Sequence, residues 1–417
     1  MKLAGDIRLA EGKASSYRWV VIITWMVAHI WGFITIESLG FLLPSMREEL
    51  GLTPIQEGLL GGAPLIGVVF LAIPSSLFLS RLSPKRLTTI TLLIGAGLLA
   101  FQGWAPVFGV LLVGRFLFGL STVAREPARA LLMRQWIQLK EIVVANASMN
   151  LLWGVSAVSF IFIPIILELL DDSWRNTIYL FAAISLGLTL AWQVIGKERI
   201  TREYASDVAS TERSLITSIF RYKELWLIGI GVVGIDIGFG ALAVFWPSYM
   251  LDTYDFSLQM TAVIWAISGL ASAVSALGVS LIAQKTGKRR PFLTIAGVFI
   301  TLTTIGMLFT GYLPYLVLLA IAQGLAFSIF PILMTIPFEL PNIKPREIAV
   351  ANGFIETFFV AGAMLGPVLA GGIQQISDDL RLALIITSVC SLTLTATGIM
   401  LPKEVDRPKE QPAPQAA

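Results

Sequence analysis

Long apolar runs separated by short polar segments occupy almost the whole chain. A helix that crosses a lipid bilayer needs about 20 mostly apolar residues, and twelve runs approach or exceed that length. The pattern therefore predicts an all-α polytopic membrane protein with twelve transmembrane helices. The predicted spans are 18–45, 57–80, 87–105, 107–130, 143–169, 176–195, 224–249, 259–283, 291–311, 315–338, 348–374 and 382–401.

Three segments lack this pattern. Residues 1–17 are polar and charged, residues 196–223 form the one long polar connector, and residues 402–417 are charged and rich in proline. They predict an N-terminal tail, a connecting loop between two sets of six spans, and a disordered C-terminal tail. The two sets, 18–195 and 224–401, are expected to form two six-helix bundles.

Composition agrees with a chain that lipid surrounds. Hydrophobic residues make up 56% of the 417 residues and charged residues only 14%, whereas a soluble domain carries about 25% charged residues. The net charge of +3 gives no support for nucleic-acid binding. One cysteine, Cys390, and one histidine, His29, provide no metal-binding cluster. We therefore expect neither a metal nor a cofactor.

The basic residues predict the orientation of the spans. If the N-terminus lies inside, 26 of the 30 Lys and Arg residues fall in inner segments or inner span ends. By the positive-inside rule both termini are then cytoplasmic, in a plasma (inner) membrane. The outer loops carry acidic residues instead: Glu48, Glu49, Asp171, Asp172, Asp252, Asp255, Asp378 and Asp379.

The two halves of the chain repeat each other with an offset near 206 residues. The segment 141–147 (EIVVANA) recurs as 347–353 (EIAVANG), and Asp172 recurs as Asp378. Matches among polar loop residues in one register predict an internal duplication. Transporters built from two such repeats hold solutes near the bilayer midplane, between the halves, and the halves rock around that site.

The loop after the second span resembles the loop signature of the major facilitator superfamily, Gly-x-x-x-Asp-Arg-x-Gly-Arg-Arg. Here Ser76, Ser80 and Ser83 stand at the signature's Gly, Asp and second Gly positions. The basic positions, and those of the equivalent second-half loop, are Arg81, Lys85, Arg86, Lys285, Gly287, Arg289 and Arg290. The resemblance covers about residues 18–401. It implies the fold of that family, alternating access, and gating roles for these loops.

Two departures from the family pattern bear on mechanism. Ser80 in place of the signature Asp removes the charged contact that, in the family, locks the gate in the outward-open form. The fifth span reads Trp153-Gly154-Val155-Ser156 and lacks the Gly-Pro-x-x-Gly-Gly motif of drug antiporters. This second departure disfavours a drug exporter.

Ionisable residues inside predicted spans are functional candidates because burying a charge in the bilayer costs a few kcal/mol or more. Arg115, Gly119, Thr122, Glu126 and Arg129 recur at helical spacing on one face of the fourth span. We expect this face to point at water or a solute. Arg115 would then pair with an anionic solute or a coupling carboxylate. The alternative is an ion pair that braces the helices.

The other candidates each have a functional and a structural interpretation. Asp236, among glycines in the seventh span, either takes up protons or is a hydrogen-bonded buried carboxyl. Glu37 either binds protons or lies in the outer vestibule. For Glu356, His29 and Glu126 local pairing or packing is favoured, with substrate binding or coupling as the alternative.

These features together predict a secondary active transporter that functions as a monomer. No phosphate-binding G-x-x-x-x-G-K-[ST] loop is present, so an ion gradient, most simply of protons, would supply the energy. Arg115 suggests a small organic anion or polar metabolite as the solute. A proton-driven exporter of drugs or metabolites is the alternative within this class. A polytopic enzyme or sensor is the alternative outside it.

Overall fold

The structure is a computed structural model that describes residues 17–79, 83–137, 156–198, 219–340, 343 and 345–402, with no side-chain description for 72–79, 126, 127, 130, 134, 345, 346, 348 and 349. Both terminal tails, most of the 196–223 connector and the first half of the fifth predicted span fall outside these ranges. So do Arg81 and the first copy of the repeated EIVVANA segment. Every regular element in the described ranges is an α-helix.

The first half of the chain forms eight described helices. They are α1 (Tyr17–Glu37), α2 (Leu39–Leu50), α3 (Pro54–Leu79), α4 (Pro84–Trp104), α5 (Phe108–Thr122), α6 (Arg125–Trp136), α7 (Phe162–Leu169) and α8 (Trp174–Ile195). The pair α1 and α2 is one interrupted span, broken at Ser38, and α5 and α6 are another, broken at Val123 and Ala124.

The second half forms eight described helices as well. They are α9 (Lys223–Tyr254), α10 (Leu258–Thr286), α11 (Arg290–Leu308), α12 (Leu313–Phe327), α13 (Phe330–Glu339), α14 (Pro345–Ser377), α15 (Leu380–Val389) and α16 (Leu392–Met400). The break between α12 and α13 at Ser328 and Ile329 matches the break between α5 and α6 in the first half.

The span count agrees with the prediction from hydropathy. Ten described helical segments are long and apolar enough to cross a membrane, and two shorter apolar helices, Phe108–Thr122 and Ser156–Leu169, lie in the fourth and fifth predicted spans. The predicted fold of twelve transmembrane helices in two bundles is confirmed.

Backbone geometry at equivalent loops supports the internal duplication. Asp172 and Asp378, 206 positions apart, both adopt a left-handed conformation, with φ of 54° and 55°, which Asp tolerates better than most residues. The next residue caps a helix in each case. Ser173 accepts a hydrogen bond from the backbone of Asn176, and Asp379 accepts one from the backbone of Leu382. The same turn therefore introduces α8 and α15.

The helix ends form two chemically different ends of the molecule. We call the end formed by residues 47–57, 103–107, 170–175, 249–257, 308–313 and 377–381 the acidic end. The opposite end, formed by residues 83–86, 195–198, 287–290 and 399–402, is the basic end. At the acidic end, Arg175 contacts Glu49 and donates hydrogen bonds to the carbonyls of Gly103 and Ala105 at 2.9 and 2.7 Å.

The apolar core is shared between the halves toward the acidic end and divided toward the basic end. One cluster contains Leu42 and Leu60 of the first half together with Phe245 and Ala370 of the second. Other clusters belong to one half only, among them the first-half cluster around Trp25 and a second-half cluster. Burial of apolar surface therefore joins the halves mainly near the acidic end.

Candidate solute pathway and buried charges

Arg115 is buried between helices, where it bonds to backbone carbonyls. It is 4% exposed, and its guanidinium donates to the Leu60 carbonyl at 3.1 Å and the Ile36 carbonyl at 3.1 Å. Pro64, four residues after Leu60, has no amide hydrogen to give that carbonyl. Ile36 lies just before the helix break at Ser38. Arg115 thus supplies donors at two interruptions in neighbouring helices.

Glu37 is the acidic group that interacts electrostatically with Arg115. It is the last residue of α1 and follows Ile36, whose carbonyl Arg115 binds. The two side chains form no ion pair within 4.0 Å among the described contacts. Arg115 is therefore a buried cation bound by neutral carbonyls, and the Glu37 carboxyl lies close enough to interact with its charge.

The face of α5 that carries Arg115 is packed, contrary to the expectation that it points at water. A Cβ atom added at Gly119 would lie within van der Waals overlap of the Pro64 backbone, and Thr122 is buried. Gly119 therefore permits α5 and α3 to approach closely. The sequence pattern distinguished this polar face from the rest of the helix, but in this conformation the face packs against other helices and not against water.

Asp236 is buried in the middle of α9 against α14. Its side chain is 3% exposed, and a Cβ atom added at Gly362 of α14 would lie 2.7 Å from the Asp236 Cβ. None of the hydrogen bonds or ion pairs among the described residues involves this carboxyl. Of the predicted candidates, Asp236 is the one buried without a described polar partner.

His29 and Arg125 come together in the first half. Arg125 Nη1 donates to the His29 carbonyl at 3.4 Å, and the His29 ring stacks on Trp25 with centroids 5.0 Å apart. A Cβ atom at Gly32 would overlap the Arg125 guanidinium, so that glycine makes room for the charge. Among the arginines of this span, the sequence pattern favoured Arg115.

Glu126 and Glu356 are the remaining predicted candidates inside the spans. Glu126 is the second residue of α6, and its side chain lies outside the description. Glu356 is half-buried on α14, six residues and therefore about 9 Å along the helix before Gly362. No described contact joins Glu356 to Arg115.

The described hydrogen bonds and ion pairs of the basic-end loops lie within their own halves. In the first half, Lys85 Nζ donates to the Gln193 carbonyl at 3.0 Å, and Arg86 is exposed. In the second half, Arg289 pairs with Glu339 at 2.8 Å and Arg290 donates to the Ile399 carbonyl at 2.7 Å.

The turn before these second-half arginines uses a left-handed glycine. Gly287, with φ of 64°, ends α10, and Lys285 is exposed. The gating roles that the resemblance implies for the basic-end loops remain a prediction.

An ion pair that sequence reasoning missed joins the halves at the acidic end. Arg47 Nη1 lies 3.0 Å from Asp252 Oδ2 of the second half. Its Nη2 donates at 3.1 Å to Glu57, which is 1% exposed. The sequence contained one indication of this ion pair: Arg47 falls in a predicted outer loop among acidic residues. It did not indicate which acidic residue is the partner.

Close backbone packing surrounds this ion pair. Cβ atoms added at Gly58 and Gly62 of α3 would lie 2.2 and 2.6 Å from carbonyl oxygens of Pro367 and Met364 of α14. At Gly40 of α2, the corresponding distance is 2.2 Å to the Ala243 carbonyl. Small residues allow this approach. The conformation is therefore one in which the two halves are tightly closed at the acidic end.

Comparison with known sequences places this architecture in a family. A sequence model of the Major Facilitator Superfamily matches residues 25–347. The chain belongs to this superfamily. The resemblance read from the loop motifs is confirmed, and so is the transporter class that it implied.

Two curated relatives are similar to this chain along most of their length but share few identities with it. The chain is 24% identical to the "Probable sulfoacetate transporter SauU" of Cupriavidus necator, over 81% of this chain and 83% of that protein. It is 22% identical to the "Probable L-galactonate transporter" of Escherichia coli, over 89% and 86%. The chain is thus a multi-pass membrane transporter of small solutes.

A solved structure supports the fold. A bacterial homologue of the human lysosomal transporter Spinster, in an inward-facing and occupied conformation, aligns with a TM-score of 0.74 at 15% identity. The alignment covers 93% of this chain and 95% of that one. At this identity the likeness concerns the fold.

Proposed function

We propose that the protein carries a small organic anion, a carboxylate or sulfonate, together with protons by alternating access. The observation that carries the proposal is Asp236, a carboxyl buried without a described partner beside the helices that join the two halves. The solute class is supported by buried Arg115 and by the names of the two relatives. Sulfoacetate and L-galactonate are both small organic anions.

The position of Asp236 suggests how proton binding and conformation are linked. On α9 it precedes Ala243, a contact of α2, by seven residues, which is about 11 Å of helix. On α14 the facing Gly362 lies only two residues before Met364, a contact of α3. Opening the acidic end must therefore move both helices that enclose this carboxyl.

The protonation state of Asp236 follows from its surroundings. An ionised carboxylate without a counter-ion in an apolar environment is strongly disfavoured, and the group is neutral instead. In the conformation closed at the acidic end, Asp236 is expected to carry a proton. Water that reaches this carboxyl as the halves rock, from whichever side is open, lets the group exchange its proton with that side.

Arg115 and Glu37 provide a candidate anion-sensitive site in the first half. Arg115 has five donor hydrogens, and the described contacts use its Nε and Nη2 for carbonyls. We propose that an arriving anion takes over the electrostatic role of Glu37. Protonation of Glu37 would then favour anion binding, which couples the two events.

The proposed orientation has the basic end in the cytoplasm. The positive-inside rule supports it because Lys and Arg residues concentrate at that end. Closure at the acidic end then corresponds to an inward-facing form, with both termini in the cytoplasm of the inner membrane. Accessibility of introduced cysteines to an impermeant reagent in intact cells tests this orientation.

The central experiment uses Asp236→Asn in reconstituted vesicles, with galactonate and sulfoacetate as the first solutes. We expect the variant to keep solute exchange across the membrane but to lose accumulation driven by a pH gradient. For wild type, one pH unit supports up to about tenfold accumulation per coupled proton. Asp255→Asn is the matched control because Asp255 is exposed at the end of the same helix.

The outcomes separate the parts of the proposal. Accumulation that survives in Asp236→Asn excludes this carboxyl as the coupling group. Wild-type uptake that is unchanged when all ion gradients are collapsed excludes proton coupling altogether. Failure of both anions to exchange, with exchange of neutral or cationic solutes instead, excludes the proposed solute class.

A further inference from the structure

The internal repeat places two arginines at equivalent turns of the acidic end. They are Arg175 and Arg381, each three residues after the left-handed aspartate that precedes α8 or α15. In the first half, Arg175 Nε donates to the Glu49 carboxylate at 2.7 Å, and its Nη1 donates to two backbone carbonyls. The guanidinium of Arg175 is therefore paired with an acid of its own half.

The same repeat matches Glu49 with Asp252. Each lies five residues after the proline inside its helix, in α2 and in α9. The second-half counterpart of the first-half arginine–carboxylate pair would therefore join Arg381 to Asp252. In this conformation Asp252 instead lies 3.0 Å from Arg47 of the other half, and no described ion pair joins it to Arg381.

Arg381 has weaker partners than its first-half equivalent. Its Nε donates to the Tyr249 hydroxyl at 2.8 Å, and its guanidinium carbon lies 5.2 Å from the centre of the Phe309 ring. None of the hydrogen bonds or ion pairs among the described residues uses its Nη1 or Nη2. The carboxylate of Asp379 accepts from the Leu382 backbone and acts on Arg381 only through space. Since a guanidinium has five donor hydrogens, Arg381 can accommodate a further acceptor.

Asp252 can leave Arg47 without depriving that cation of a counter-charge. Arg47 also binds Glu57 of its own half, from Nε at 2.5 Å and from Nη2 at 3.1 Å. The Asp252 side chain is half exposed, so water solvates the carboxylate as it moves. It lies one turn after Tyr249 on α9, and the Tyr249 hydroxyl binds Arg381. A second cation is therefore close to Asp252 within the second half.

We propose that Asp252 exchanges partners as the halves rock, from Arg47 when the acidic end is closed to Arg381 when it is open. The second half would then acquire the arginine–carboxylate pair that the first half has in this conformation. The exchange replaces the ion pair that opening breaks, so this contact lowers the cost of leaving the closed form. The proposal rests on the alternating access proposed above, but on neither the solute nor proton coupling.

The test is a double-substitution cycle, read by the distance between spin labels at Glu48→Cys and Gln375→Cys in a Cys390→Ser background. A surface ion pair changes the ratio of open to closed forms by up to about fivefold. Arg381→Gln should lower that ratio, because it removes the ion pair of the open form. Asp252→Asn should raise the ratio more in the Arg381→Gln background, where only the closed form has an ion pair to lose, than in wild type, where both forms lose one.

Two control variants keep the charges that matter. Arg381→Lys retains the cation and should respond to Asp252→Asn as wild type does. Asp255→Asn, at an exposed position beside the end of α9, should leave the ratio unchanged in either background. Equal shifts by Asp252→Asn in both backgrounds, or a higher ratio in Arg381→Gln alone, overturn the exchange. A single distance that no variant shifts overturns alternating access as well.

A second measurement needs no substitution at these residues. A structure of the protein in a form open at the acidic end should place an Asp252 carboxylate oxygen within about 4 Å of an Arg381 guanidinium nitrogen, the ion-pair distance. An Asp252 carboxylate that stays on Arg47, or that contacts only water, overturns the proposal.

Discussion

A single added methyl group at Gly58 should separate the two halves at the acidic end. Gly58 of α3 faces the backbone of α14, and an ideal Cβ there would lie 2.2 Å from the Pro367 carbonyl oxygen. Real Cβ atoms essentially never approach closer than 3.0 Å. Gly58→Ala therefore requires the two helices to move apart by about 0.8 Å or more, the difference between those distances.

The free-energy consequence falls mainly on one conformation. Overpacking of a close contact costs about 1–3 kcal/mol, and it applies only while α3 and α14 touch. The gain in helix propensity from Gly to Ala, about 0.5–1 kcal/mol, applies in both conformations and cancels. Gly58→Ala should thus shift the equilibrium away from closure at the acidic end by about 5–150-fold.

The assay is a distance measurement between spin labels on the two halves. Glu48→Cys and Gln375→Cys place labels at exposed positions of α2 and α14, in a Cys390→Ser background that removes the natural thiol. Gly58→Ala should add or enlarge a population at longer distance.

The matched control is Gly97→Ala in α4, where an added Cβ meets no atom within 4 Å. It should leave the distance distribution unchanged. Identical distributions in the Gly58 and Gly97 variants would refute the claim that glycine packing sets this closure.

Two further predictions concern charged side chains. Asp252→Asn removes the ion pair with Arg47 that joins the halves, and this partly exposed pair is worth at most about 1 kcal/mol. The same two spin labels should therefore report a smaller opening than in Gly58→Ala. The control variant Asp255→Asn should show no opening. Arg115→Ala should lower the melting temperature because the Leu60 carbonyl loses its donor, and it should abolish uptake because the cation of the proposed anion-sensitive site is lost. Adding Pro64→Ala restores an amide for that carbonyl and should recover stability without uptake; recovered uptake would assign Arg115 a structural role alone.

Much of the fold follows from the sequence because its signals are local or repeat in register. Apolar run length predicted the spans, and the repeat of Asp172 as Asp378 predicted equivalent turns, which the left-handed conformations at both positions support. The helix breaks were less visible. The break at Ser38 falls inside a continuous apolar run. Composition does not predict this break, because tertiary contacts decide where the helix is interrupted.

The site was predictable only as a set of residue types. Arg115 stood out as a charge inside a span, but its carbonyl partners belong to helices that precede it by 55 and 79 residues. Pro64 signals an unpaired carbonyl at Leu60, yet nothing local says which donor reaches it. The Arg47 and Asp252 pair likewise depends on helix packing.

Proton movement that accompanies solute entry tests the account most directly. Vesicles containing the protein and an internal pH indicator are given galactonate or sulfoacetate outside, with no pH gradient imposed. The account predicts acidification of the interior that follows solute entry in wild type and Asp255→Asn and is absent in Asp236→Asn. Solute entry in wild type without any change of internal pH would contradict it.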